Sequence, residues 1–248
     1  MKKKLLIITG ILLVSISCKK ESTTPQTNDS NVTSDTTSHL DGVYGPTIKD
    51  VDGNNYKTVK IGSQVWMAEN LKTTRYNDST IIPNVTDYSE WQYTTRAWRY
   101  YKDKSEYNEL YGKLYNWNTI DKKINEDKNI CPNGWHLPSI EEWKVLVNHL
   151  GGDSIAGGKL KQAGIVNWIK PNKDATNSSL FNALPGGFAG AGAGFSGVNA
   201  LGSWWTYNPE LSDTYTYKSI YLIGNSGQVF YRDAYSAEGL SVRCLKDE

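Results

Sequence analysis

Residue types that do most chemistry are scarce in this sequence. Its 248 residues include only 3 His and 3 Cys. The histidines, His39, His136 and His149, are scattered, and no zinc spacing is present. Only Cys131 and His136, neighbours in "CPNGWH", imitate a nucleophile–base pair. No charge of one sign dominates, since 27 Lys and Arg stand against 26 Asp and Glu. There is no long basic run either, which argues against nucleic acid as the main partner. No apolar run reaches the about 20 residues of a membrane span. The candidate run, Leu5 to Ile16, follows Lys2, Lys3 and Lys4 and reads as the core of a signal peptide over residues 1–17. Phe is scarce too: there are 4, against 9 Trp and 16 Tyr. Trp and Tyr pair a flat apolar body with a polar tip, which suits a binding face as well as a strand-rich core.

The apolar run ends in "SISC". Small residues before a cysteine resemble a bacterial lipobox, although Ser15 stands where leucine is usual. The expectation is that Cys18 is lipidated and holds the protein to a membrane. Ordinary cleavage nearby, with Cys18 left as a free thiol, is the alternative. Residues 18–40 are rich in Ser, Thr, Asn and Asp and contain no aromatic. Such a segment buries too little apolar surface to offset its ordering entropy, so it reads as a solvated tether. Residues 41–248 suit one domain with a sizeable core. With Cys18 lipidated, Cys131 and Cys244 remain, and two cysteines in an exported chain read as one disulfide. In the chain-entropy model a bridge closing so long a loop is worth roughly 4–5 kcal/mol.

"IKDVDGNNYKTVKIGSQVWMAENL" reads as a β-meander with turns at Asp52-Gly53 and Gly62-Ser63. Val59, Ile61, Val65 and Met67 should face the core. The glycine of "DVDGN" sits too early for a calcium-binding EF-hand, so the stretch is a turn. Residues 72–118 mix aromatics with charges at no clean period, and part of them should lie on the surface. "YGKLYNWNTI" then enters the core. Ser139 and Glu142 form a capping box, S-x-x-E, for a helix over 139–150. Ile140, Trp143, Leu146, Val147 and Leu150 line its apolar face, and Gly151-Gly152 stops it. "GGKLKQAG" forms a short second helix. The glycine-dense "ALPGGFAGAGAGFSGVNALGSWW" is too irregular for a dinucleotide fingerprint and reads as a long loop. "YKSIYLIGNSGQVFYRD" is a hairpin around Asn225–Gly227, and "GLSVRCLKD" the closing strand.

"DGNNYKTVKIGSQVWMAENL", "YGKLYNW", "CPNGWHLPSIEEW", "ALPGG", "WW" and "GLSVRCLKD" occur in this order. Together they resemble the Fibrobacter succinogenes major paralogous domain of exported proteins and lipoproteins in Bacteroidetes and Fibrobacter. That family resembles the C-type lectin-like fold. The resemblance implies an α+β domain with mixed and antiparallel strands, paired termini, one main helix and long irregular loops. It also implies a bridge between Cys131 and Cys244, in agreement with the cysteine count.

Four functions compete, because fold alone does not decide function. An enzyme related to formylglycine-generating enzymes would need a free Cys131. A calcium lectin would need six to eight oxygens, and Asn208, Glu210, Asp213 and Asp233 could supply only some. A calcium-independent binding module would use aromatic faces. Its candidates are Trp204, Trp205 and Tyr207, and a second set of Trp91, Trp98, Arg99, Tyr100 and Tyr101. A structural surface protein would need no soluble ligand. The expectation is a non-enzymatic envelope lipoprotein, at the outer membrane, that needs no cofactor and binds a glycan or a surface protein.

Overall fold

The structure is a computed structural model that describes residues 40–192, 194–208 and 216–248. The signal peptide, Cys18, nearly all of the tether, and Glu210 and Asp213 lie outside the described residues. The first elements are β1 (Gly42–Lys49), β2 (Asn55–Ile61) and β3 (Gln64–Met67). Then come α1 (Tyr88–Tyr93), β4 (Trp98–Arg99), α2 (Asn108–Tyr111), β5 (Leu114–Tyr115), α3 (Trp117–Ile120) and β6 (Trp135–His136). Two helices follow, α4 (Ile140–His149) and α5 (Asp153–Leu160). The chain closes through β7 (Gly186–Ala189), β8 (Phe195–Val198), β9 (Leu201–Trp205), β10 (Thr216–Ile223), β11 (Phe230–Tyr235) and β12 (Leu245–Lys246).

One sheet runs β1-β2-β3-β12-β6 and a second β11-β10-β9-β7-β8, while β4 and β5 pair alone. All pairings are antiparallel except β7 with β9. The domain is thus α+β with mostly antiparallel strands. The first and last strands share a sheet, but β2 and β3 stand between them, which corrects the expectation of paired termini.

The meander turns where its sequence says. Gly53 and Gly62 take φ of 84° and 59°, a region only glycine enters freely. The Asp50 carboxylate accepts the Asp52 and Asn54 amides at 3.0 and 2.9 Å, and the Tyr56 hydroxyl at 2.6 Å. The acidic turn is therefore saturated by its own chain. At α4, Ser139 Oγ accepts the Glu142 amide at 3.2 Å, and Ser139 N–H donates to Glu142 Oε2 at 2.7 Å. Both halves of the capping box are formed.

The glycine-dense stretch is a correction: it holds strands β7, β8 and β9. Its glycines permit tight strand contact. A Cβ on Gly187, which has φ of 67°, would stand 2.4 Å from Ser196 O, and one on Gly202 would stand 2.6 Å from Leu184 O. Sequence periodicity misses such strands because glycine carries no side chain to show the alternation.

Two cores lie on opposite faces of the same strands. The first gathers Val59, Ile61, Trp66, Trp143, Leu146, Trp204, Ile220 and Leu245. The second gathers Tyr56, Met67, Tyr115, Trp117, Trp205, Val242 and Cys244. Adjacent residues of β3 (Trp66, Met67) and β9 (Trp204, Trp205) thus enter different cores. Successive strand side chains do point to opposite faces, but here both faces are covered.

Candidate functional site

Several of the motif pieces meet inside the protein. Asn70 Oδ1 accepts Trp204 Nε1–H at 2.8 Å, and Arg243 Nε–H and Nη2–H at 3.2 and 2.8 Å. Its Nδ2 donates to Tyr111 O at 2.9 Å and Ser241 Oγ at 3.3 Å. Arg243 also donates to Phe181 O and lies 4.2 Å over the Phe181 ring. Burial pushes the Arg243 pKa down, yet the guanidinium stays a cation at neutral pH. Lys161 repeats the device: its ammonium donates to Lys173 O, Ile223 O and Ser226 O at 2.8, 3.1 and 2.7 Å. Phe181, Lys173 and Ser226 lie in irregular segments with no ladder to satisfy their carbonyls, and Ile223 ends β10; these buried cations bond them instead.

The two aromatic sets belong mostly to this interior, which corrects the expectation of an aromatic face. Trp91, Trp204 and Trp205 are fully buried, and Trp98, Arg99 and Tyr101 nearly so. The indole N–H of Trp91, Trp98 and Trp205 reaches Ala237 O, Ile82 O and Tyr115 O at 2.7, 2.9 and 2.7 Å. With that tip bonded to backbone, burial costs little. Arg99 lies between the Trp91 and Phe195 rings, 5.1 and 4.7 Å from their centroids, and binds Asp103. Only Tyr100 and Tyr207 of the two sets are half-exposed. Of the acidic candidates, Asp233 forms an ion pair with Lys218 at 2.6 Å, and Asn208 has an interaction of its own. Among the described residues no group of three His, Cys, Asp or Glu could hold a metal ion.

Tyr207 lines a hollow of about 250 Å³ with Ile120, Lys122, Lys128, Asn129, Ile130, His136 and Leu137. Its amide donates to Pro138 O at 2.8 Å, which sets the ring against the segment entering α4. Ile120, Ile130 and Leu137 supply apolar surface, and the amines, amide and imidazole supply polar tips. Each rim charge has a counter-ion. Lys128 meets Asp78 at 3.0 Å, Lys122 meets Asp127 at 3.9 Å, and His136 meets two carboxylates. Burial, and then the charges of Asp121 and Asp127, push the Tyr207 pKa up.

Cys131, the candidate partner of His136 in a nucleophile–base pair, is bridged to Cys244. His136 Nε2 lies 2.8 Å from Glu142 Oε1, and Nδ1 lies 2.6 Å from Asp247 Oδ1. The Glu142 hydrogen bond raises the His136 pKa, burial opposes it, and Asp247 adds to the rise.

The model of the Fibrobacter succinogenes major domain matches residues 59–246. The chain belongs to this family. No curated protein matches the chain. No solved structure matches it. The matched span of the Fibrobacter succinogenes major domain runs from β2 to β12 and includes Asn70, Cys131, Trp204, Arg243 and Cys244. In this chain these five residues are buried scaffold. Only His136 and Leu137, from "CPNGWHLPSIEEW", reach the hollow. Sequence reasoning missed Ile120, Lys122, Lys128, Asn129 and Ile130. They flank a charged turn between α3 and Cys131 that carries no period and no motif.

Proposed function

We propose that this protein is a non-enzymatic binding module of the cell envelope, lectin-like in architecture, that holds one ring of a neutral sugar beside Tyr207. The supporting observation is the hollow itself: an aromatic ring and apolar side chains, ringed by hydrogen-bonding groups whose charges are already compensated. Sugar CH faces suit the first, and hydroxyls suit the second. At about 250 Å³ the hollow lies just below the roughly 300–1,000 Å³ of ordinary ligand sites, which fits a single ring and not an extended cofactor. Compensated rim charges disfavour a charged ligand, which would have to displace a counter-ion.

Binding without catalysis is supported by the Cys131–Cys244 bridge, which removes the thiol beside His136. A lectin-like architecture is supported by the helix that follows the Trp135–His136 segment, and by the bridge from that segment's approach to the last strand. Lipidated Cys18 would hold the domain at the outer membrane on its polar tether. No metal or other cofactor is needed for this mode of binding.

The test is a glycan array probed with the detergent-solubilised full chain, with calcium and with a chelator. The reading predicts binding that survives chelation and is lost in Tyr207→Ala. Binding to no glycan, or binding that Tyr207→Ala leaves unchanged, refutes it.

A further inference from the structure

His136 lines the hollow and also meets the capping box of α4 and Asp247, the residue after β12. Each of its ring nitrogens faces a carboxylate oxygen, at 2.8 Å from Glu142 and 2.6 Å from Asp247. Only an imidazolium has a proton for both. A neutral ring would set a lone pair against one of these oxygens. Geometry decides which contact opens. Glu142 is pinned, because its other oxygen accepts Ser139 N–H at 2.7 Å and Ser139 Oγ–H at 2.8 Å. Asp247 is freer: its side chain is 53 % exposed, against 34 % for Glu142. The neutral ring therefore keeps Nε2–H on Glu142 and turns its lone pair toward Asp247.

We propose that protonated His136 is a pH-operated latch, tying the segment after β12 to the capped start of α4 and fixing one wall of the Tyr207 hollow. When the ring gives its proton to solvent, the Asp247 carboxylate swings out and that wall loosens. Lys122, Lys128 and the Tyr207 phenol line the same hollow, and Lys246 and Glu248 flank Asp247; both hollow lysines are offset by their own acids. The two carboxylates in direct contact outweigh them. Asp247 N–H donates to Gly134 O at 2.9 Å, so a loosened tail should also lose protection at that amide. As regulation of ligand binding the latch rests on the reading of the hollow given above, but its own test needs no ligand.

The test follows the His136 ring and the Tyr207 ring by NMR in the full chain between pH 5 and 10, with His136→Gln assigning the ring. Expected are a His136 midpoint above 6.5, an Nε2–H tautomer beyond it, and Tyr207 signals that move with the same midpoint. Protection of the Asp247 amide, corrected for intrinsic base-catalysed exchange, should fall about tenfold across that midpoint. Asp247→Asn, a change at a half-exposed site, should lower the midpoint and abolish the protection change. A midpoint at or below 6.5, Tyr207 signals that stay still, or an unchanged profile in Asp247→Asn overturns the latch. None of these results bears on whether Tyr207→Ala abolishes glycan binding, so the two readings fail separately.

Discussion

At Asn70 an amide, an indole and a guanidinium meet with water excluded. At Tyr207 a phenol, two amines and an imidazole meet with water at the opening. The residue types are those that recognise ligands elsewhere, yet in the first region they recognise only the protein itself. The difference lies in what satisfies the cations. Arg243 is held by an amide oxygen, a backbone carbonyl and ring faces, with no bonded carboxylate among the described residues. His136, Lys122 and Lys128 are each held by carboxylates that are themselves partly exposed. The interior arrangement is costly to disturb, because an unpaired buried charge has no water to turn to. The rim arrangement is cheap to disturb, because solvent screens each pair.

The largest effects should come from breaking the interior. Removing the Cys131–Cys244 bridge by a double Ser substitution should cost about 4–5 kcal/mol in the chain-entropy model, read as a fall in the urea midpoint. Asn70→Ala should cost about 3–5 kcal/mol, because it strands the Arg243 guanidinium and the Trp204 indole together. Arg243→Met should cost less than Asn70→Ala, since it takes the charge away along with its partner's duty. If Arg243→Met proves the more damaging, the guanidinium contributes more than compensation for its own burial.

The sequence made part of this legible. Where a residue's role is local, reading it sufficed: Gly53 and Gly62 had to turn, and Ser139 with Glu142 had to cap a helix. The cysteine count and the family resemblance both pointed to the bridge. The roles that escaped depend on segments distant in the chain. Trp204 and Trp205 point to opposite faces, as alternation requires, but nothing local says that both faces are covered. Trp91 and Trp98 sit among charged residues, and their burial rests on carbonyls at Ala237 and Ile82 that no window around them contains. Of the hollow, Tyr207 alone was singled out as a binding residue. Lys122, Lys128 and Asn129 come from a turn whose charges read only as solvated.

The middle-sized effects should separate the two regions directly. Tyr207→Ala should weaken glycan binding at least tenfold, about 1.4 kcal/mol, while moving the urea midpoint little. Trp204→Phe should do the reverse. It removes the hydrogen bond to Asn70 from a site 1 % exposed, should cost about 1–3 kcal/mol of stability, and should leave binding unchanged. Any loss of binding in Trp204→Phe with stability retained would show that the interior network reaches the hollow.

The smallest effect concerns Ser139, where scaffold and rim share a carboxylate. Ser139→Ala removes the hydroxyl that bonds the Glu142 carboxylate and amide, and should cost about 1 kcal/mol. Its pH dependence is more telling. Burial raises the Glu142 pKa, but hydrogen bonds from His136 and Ser139 outweigh it and hold the value below 4.5. A carboxylate with a lowered folded pKa stabilises above its ordinary value and loses that stabilisation as pH falls through the lowered one. His136 is the opposite case, with its pKa held above 6.5. It stabilises fully below its ordinary value and loses that contribution as pH rises through the raised one. The triad should therefore stabilise most between about 4.5 and 6.5, with an acid limb due to Glu142 and an alkaline limb due to His136. Ser139→Ala should make the acid limb shallower, because Glu142 loses the hydroxyl donor that favours its charged form while keeping the backbone one, and should leave the alkaline limb to His136 and Asp247. Urea midpoints from pH 3 to 9 read both limbs in one series. A shallower alkaline limb with an intact acid one would place the Ser139 hydroxyl in service of the imidazolium and not of the cap.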